Sequence, residues 1–286
     1  MTLGLNDYEF QLNDSGVRLN TTSAIPFVDI NKVSGLDNAP YRETTRDHEG
    51  VDGGFLDAEF EKGRDIILEG VVFGDLTSVE PYLDSLKYNY APVTSPIPFY
   101  YKSSGVTERV IFVKTRGVRF DWDSARRIGT TDIQFLMFAE DPRIYTNVLN
   151  NTNISYGGDA GLGLAFSFGF NINFGGGATP GGGTFTNDGN RSTPVVFTIT
   201  GPVINPIIYN YTTGKTMSFI IELTGSDTLT INTNTRTVYL NGNSNRRNTM
   251  QTFDWIFFDP GSNLIGYGGS SGSGSVLNVQ YRSAWR

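Results

Sequence analysis

The sequence predicts a mainly β protein of two domains, an N-terminal one with a single helix and a C-terminal antiparallel β-sandwich. Three observations carry this. Glycine supplies 34 of 286 residues, well above the usual share of about 7%, which suits many turns. Short runs of β-branched and aromatic residues, bounded by turn clusters, recur along the chain. Only one segment holds a helical period. A chain of 286 residues accommodates two ordinary domains, each able to bury a core.

In the N-terminal half, YEFQL and IPFVDI are short β-type runs, and RDIILEGVVF is long enough for a buried strand. Between Val33 and Phe55 the chain keeps neither period and reads as a long polar loop. In TSVEPYLDSLKYNY, the apolar positions Val79, Tyr82, Leu83, Leu86 and Tyr90 share one helix face. Thr77 or Ser78 is expected to cap it, Glu80 complements its dipole, and Pro81 lies in the first turn, where a missing N–H costs little. Two further strands follow in ERVIFVKTRGVRFDWD and TTDIQFLMF. In the first, Val118, Phe120 and Trp122 alternate with Arg119, Asp121 and Asp123, which predicts a buried tryptophan beneath a solvated acidic face. A helix on a strongly bent sheet is the expected arrangement.

Composition shifts after Tyr145 to a polar, Gly-rich stretch, which places the boundary near residue 150 and the domains at 1–150 and 151–286. LAFSFGFNINF alternates strictly, with Leu164, Phe166, Phe168, Phe170, Ile172 and Phe174 on one face. GGGATPGGG reads as a flexible connector. The runs PVVFTIT, PIIYNY, SFIIEL, TLTIN, RTVYLNG, DWIFF and VLNVQYR then repeat at about ten residues, separated by TGSD, LNGNSN and GGSSGSGS, the spacing of an antiparallel sandwich. GGSSGSGS is expected to be a mobile hairpin tip.

Chemistry finds little support. With no cysteine and one histidine, thiol catalysis and thiolate metal sites are excluded, and a zinc site would need several carboxylates. His48 lies between Asp47 and Glu49 in polar surroundings, without a Gly-x-Ser-x-Gly elbow to partner it. The pairs Asp121 with Asp123 and Glu140 with Asp141 were weighed as the two acids of a glycosidase against solvated strand faces, and the solvated reading is preferred. The Gly-rich runs lack the Lys-Ser/Thr of a phosphate loop. No enzyme activity, metal or cofactor is expected. The net charge of -7 disfavours nucleic-acid binding and acidic membranes. No run reaches the roughly 18 apolar residues of a membrane span, and the start lacks signal-peptide character, so a soluble protein without an export signal is expected. The Asn-x-Ser/Thr triplets are then chance products of an Asn- and Thr-rich chain.

NDGNRSTPVVFTITGPVINP, WIFFDPGSNLIGYGG and VQYRSAW in the C-terminal half, with GLDNAPYRETTRDHEGVDGGF before them, resemble the distal tail protein family of siphophages. The resemblance implies a tail-tube-like split β-barrel or sandwich with one α-helix, closing as a homohexameric ring, and a galectin-like β-sandwich outside it. It implies a structural hub joining the tail tube protein to the tail-tip or baseplate protein in the virion, with phage DNA crossing the lumen without specific binding. The alternative is a tail-tip lectin, for which Tyr209, Tyr211, Trp255 and Trp285 could line a sugar site. Aromatic residues in a sandwich are more often core.

Within the ring reading, the segment from Gly35 to Gly54 is expected to be an inter-subunit arm, because loops beyond about 12–15 residues are usually functional. Asp37, Arg42, Glu43, Arg46, Asp47, Glu49 and Asp52 give it charges of both signs, and Leu36 and Tyr41 are its apolar anchors. A merely solvated loop is the plainer reading.

Overall fold

The computed structural model describes residues 3–21, 25–37, 39–47, 52, 54–75, 77–122, 127–157 and 181–286. The expected strand at 164–174, His48, Glu49 and Asp123 lie outside the described residues. The chain divides into two compact units after Asn147, with Arg286 grouped with the first.

In unit 1 the order is β1 (Phe10–Leu12), β2 (Arg18–Leu19), β3 (Phe27–Ser34), β4 (Tyr41–Asp47), β5 (Gly54–Glu61), β6 (Arg64–Phe73), α1 (Val79–Asn89), β7 (Ile97–Tyr101), β8 (Arg109–Phe120), β9 (Thr130–Ala139) and β10 (Ile144–Thr146). The main sheet runs β2-β1-β7-β8-β9-β6-β3, and β10 pairs with β8. Its pairings are antiparallel, and the register shifts at Ile30/Lys32 and Thr115/Gly117, irregularities of the kind that kink a strand. Along β6 the buried positions are Arg64, Ile66, Leu68, Gly70 and Val72, so this strand alternates and is covered on one face.

Helix α1 buries Val79, Leu83 and Leu86, and Tyr90 after it packs on Phe135 with ring centroids 4.5 Å apart. The periodicity placed this face correctly; the cap is different. Neither Thr77 nor Ser78 caps with its side chain. Instead Asp75 Oδ1 accepts from the Thr77 and Ser78 amides at 3.0 and 2.9 Å. Bonds from the Thr77 and Ser78 side chains and amides hold the Asp75 carboxyl below its ordinary value.

Glu108 ties the N-terminal segment down, accepting from the Leu3 and Leu5 amides at 2.9 and 2.8 Å and from Asn147 Nδ2 at 2.8 Å. Burial opposes its ionisation, but these bonds outweigh it and keep its pKa low.

The segment expected to be a long loop holds a β-hairpin. β4 and β5 pair from Tyr41↔Glu61 to Asp47↔Gly54, with a bulge at Thr44/Thr45. Trp122 also departs from expectation: β8 ends at Phe120, the alternation stops there, and Trp122 is 85% exposed.

Unit 2 contains β11 (Asn150–Ser155), β12 (Gly181–Asn187), β13 (Thr193–Thr200), β14 (Val203–Ile204), β15 (Ile207–Asn210), β16 (Lys215–Ser218), β17 (Glu222–Leu223), β18 (Thr228–Asn232), β19 (Thr237–Leu240), β20 (Ser244–Asn245), β21 (Phe257–Phe258), β22 (Gly261–Gly268), β23 (Val276–Tyr281) and β24 (Ala284–Trp285). One sheet runs β11-β23-β13-β18-β19-β20 with β21 beside β13, and a second runs β12-β22-β15-β16. Between them lies one core that includes Phe197, Ile231 and Val279 from the first sheet and Phe185, Ile208 and Tyr267 from the second. This is a two-sheet antiparallel sandwich.

Two glycine-rich readings change. Gly181, Gly182 and Gly183 open β12 and pair with Tyr267, Gly266 and Ile265, so the end of the expected connector is strand. GGSSGSGS joins β22 in one sheet to β23 in the other, and is no hairpin tip. It is tied down by Tyr156 Oη to the Gly269 carbonyl at 2.9 Å, by Ser270 and Ser271 against Ile204, and by Ser275 Oγ to the Thr200 carbonyl at 2.7 Å.

Candidate assembly surfaces

The hairpin β4–β5 pairs with no other strand among the described residues. Tyr41, Arg42, Glu43 and Asp52 are exposed, and so is Phe60, over whose ring the Arg42 guanidinium sits at 5.4 Å. Asp37 is exposed and Leu36 half-buried at the hairpin's root. Arg46 and Asp47 contribute backbone to β4, and their side chains lie outside the described residues.

The root is built around a residue that sequence reasoning missed. Arg64 is 1% exposed, and its Nη1 donates to the carbonyls of Gly35, Leu36 and Asp37 at 3.3, 3.4 and 3.4 Å. Its Nε and Nη2 are buried and meet no acceptor among the described residues. Burial lowers its pKa, while Tyr101, Asp141, Asp37 and Tyr41 favour the cation. The two legs of the hairpin are bonded to each other below the strands, Lys62 N to the Pro40 carbonyl at 2.7 Å. The signal for Arg64 was its place in RDIILEGVVF, two residues before Ile66 and in phase with Leu68 and Val72.

The strings that carried the family resemblance converge in unit 2 on Asn187. It is 1% exposed, and its Nδ2 donates to the carbonyls of Arg191 and Phe258 at 2.7 and 3.1 Å. Its Oδ1 accepts from the amides of Gly189 and Ala284, both at 3.1 Å. A Cβ at Gly189 would sit 1.7 Å from the Ala284 carbonyl oxygen, so only glycine fits there. Thr193 Oγ1 donates to the Arg282 carbonyl at 2.6 Å. In the turn that opens β22, Gly261 has φ +88° and Asn263 bonds the backbone of Asp259 and Gly261. These motifs are a structural joint, with every polar atom of Asn187 and Asn263 directed at backbone.

Two of the carboxylates considered for hydrolysis, Glu140 and Asp141, are engaged elsewhere. Lys114 Nζ lies 2.5 Å from Glu140, while Asp141 binds Arg143 at 3.0 Å and the Tyr145 hydroxyl at 2.6 Å. Asp121 borders an open depression of about 510 Å³ with Asn31, Glu69, Arg119, Asp132 and Gln134. Among the described residues no group of three His, Cys, Asp or Glu is placed to hold a metal. No helix there is long and apolar enough to cross a membrane. Of the four aromatics, Trp255 is buried, with the Arg247 guanidinium 5.7 Å from its ring. Trp285 is half-buried, and only Tyr209 and Tyr211 come together, 5.7 Å apart and 10° from parallel.

Residues 188–285 match the family described as siphovirus-type tail component, C-terminal domain. The matched residues lie within unit 2. This match supports the resemblance to siphophage distal tail proteins read from the sequence. A crystal structure of the Dit protein (gp 19.1) of phage SPP1, described as a paradigm of hub adsorption apparatus in phages infecting Gram-positive bacteria, aligns over 96% of this chain and 98% of its own. The TM-score is 0.64 at 13% identity, so the two share a fold across both units. A chain of the phage p2 baseplate in its activated conformation with calcium covers the same shares at 12% identity, with a TM-score of 0.49 that carries no argument. No curated protein sequence matches the chain.

Proposed function

We propose that this protein is a structural virion subunit, the hub at the distal end of a long non-contractile phage tail. Unit 1 closes a ring of copies continuous with the tail tube protein, and unit 2 stands outside it and anchors tip or baseplate proteins. The tail component domain at residues 188–285 carries this reading. One feature of unit 1 supports it: the β4–β5 hairpin has no partner strand among the described residues, which leaves its strand edges unpaired there. A ring hides such edges, whereas a lone subunit exposes them to unwanted pairing. The net charge of -7 suits a lumen that lets DNA pass without holding it. Six copies follow from the resemblance. At high concentration, negative stain is expected to show rings, or light scattering a mass several times 31.4 kDa. A density map of the intact tail without this chain at the tube's end would refute the proposal.

The stacked pair Tyr209 and Tyr211, with Tyr211 52% exposed, favours a second reading, adhesion to host glycans through ring stacking on sugar faces. Selective glycan-array binding by the full chain, abolished by Tyr211→Ala, would promote it. A blank array removes it.

A further inference from the structure

We infer that Arg64 is a positioning residue that sets the direction in which the β4–β5 hairpin leaves unit 1; its consequence for assembly rests on the reading of that hairpin as an inter-subunit arm. Strand alternation puts position 64 on the same face as Ile66, Leu68 and Val72, and the side chain is 1% exposed. An apolar residue is the physically favourable choice there. A buried guanidinium is instead kept, although Nε and Nη2 meet no acceptor among the described residues.

Replacing buried ionic groups by apolar ones of similar volume often leaves a fold as stable or more so, which makes stability a poor reason for the charge. What Arg64 does bond is one segment. Its Nη1 faces the carbonyls of Gly35, Leu36 and Asp37, the consecutive residues that lead from β3 into the hairpin. Gly35, at φ +87°, bends the chain there, and a Cβ on it would meet the Asp65 carbonyl oxygen at 1.9 Å, so the outgoing leg lies on the backbone beside Arg64. The return leg is joined to it by Lys62 N to the Pro40 carbonyl at 2.7 Å. Carbonyls turned toward one fixed cation orient both legs together.

The test uses the full-length protein with Arg64→Met, Arg64→Lys and, as a control on the hairpin's own surface, Arg42→Glu. Three readouts are compared: thermal melting, hydrogen exchange at Leu36 and Lys62, and the yield of rings. Arg64→Met is expected to melt at the same or a higher temperature, to exchange about tenfold faster at those amides while β6 and β9 stay protected, and to lose ring formation. Arg64→Lys, which keeps a cation within reach of the carbonyls, should recover much of both. A lower melting temperature with faster exchange throughout unit 1 would reduce Arg64 to a packing residue and overturn the inference, as would unchanged exchange at Leu36 and Lys62. Arg42→Glu leaves the root intact, so loss of rings with normal root exchange supports the arm itself. Rings that still form with Arg42→Glu and with Arg64→Met would remove the arm reading, while faster root exchange in Arg64→Met would still stand for its positioning role.

Discussion

Asn187 in unit 2 and Arg64 in unit 1 are both buried polar side chains that bind backbone from distant segments, and they are satisfied to very different degrees. Asn187 uses both side-chain atoms on four backbone groups at 2.7 to 3.1 Å. Arg64 directs a single nitrogen at its three carbonyls, at 3.3 to 3.4 Å, and leaves two nitrogens unmatched among the described residues. A fully satisfied buried network rigidifies and specifies a core, whereas a half-satisfied one is inferior to apolar packing. The contrast separates a residue that serves its own fold from one that serves a projecting element.

Substitutions sharpen this contrast, and the largest effect is expected at the joint. Asn187→Ala strands four buried backbone groups and should destabilise unit 2 by about 3–5 kcal/mol in denaturant unfolding. A loss below about 1 kcal/mol would show that water replaces the amide and that the joint is not what holds the strings together. Next comes the core of unit 1. Leu83→Ala opens a cavity under α1 and should cost about 2–4 kcal/mol, without the selective exchange at Leu36 and Lys62 expected of Arg64→Met.

The smallest effect belongs to an exposed turn network. Asp227 accepts from Asn241 Nδ2 at 2.9 Å, from Thr224 Oγ1 at 2.5 Å and from the Thr224 amide at 2.9 Å. The side-chain bonds of Asn241 and Thr224, with the Thr224 amide, push its carboxyl down to about 2. Because the folded value lies below the unfolded one, near 3.9, its contribution is fully present above pH 4 and is lost as pH falls toward 2. Asp227→Asn should therefore lower the melting temperature slightly at pH 7 and leave it unchanged near pH 2. An equal shift at both pH values would assign the effect to packing.

Much of this architecture was legible in the sequence, and the failures have a common physical origin. Strands with one buried face announce themselves by alternation, so PVVFTIT and VLNVQYR fall on β13 and β23 to within one residue, and the helix face was readable from Val79 to Tyr90. The hairpin β4–β5 was missed because its sequence holds no sustained period, and Tyr41, Arg42, Glu43 and Phe60 are all exposed. Trp122 was placed by extending an alternation past the strand's last residue. GGSSGSGS was mistaken for a hairpin tip because local composition does not say which sheet the next strand joins. Arg64 sat in a readable pattern, but a charged residue at the start of an apolar run is ordinarily taken as solvent-facing. For the proposed assembly surface, length and mixed charge single out Gly35 to Gly54 in the sequence; its hairpin form and its buried root required the fold.

Hydrogen exchange on the dissociated subunit and on the assembled tail hub tests the central claim most directly. The account predicts that the largest gain in protection falls on Tyr41–Asp47 and Gly54–Glu61, exceeding that of any strand in unit 2. Equal exchange of the hairpin in both states would contradict it.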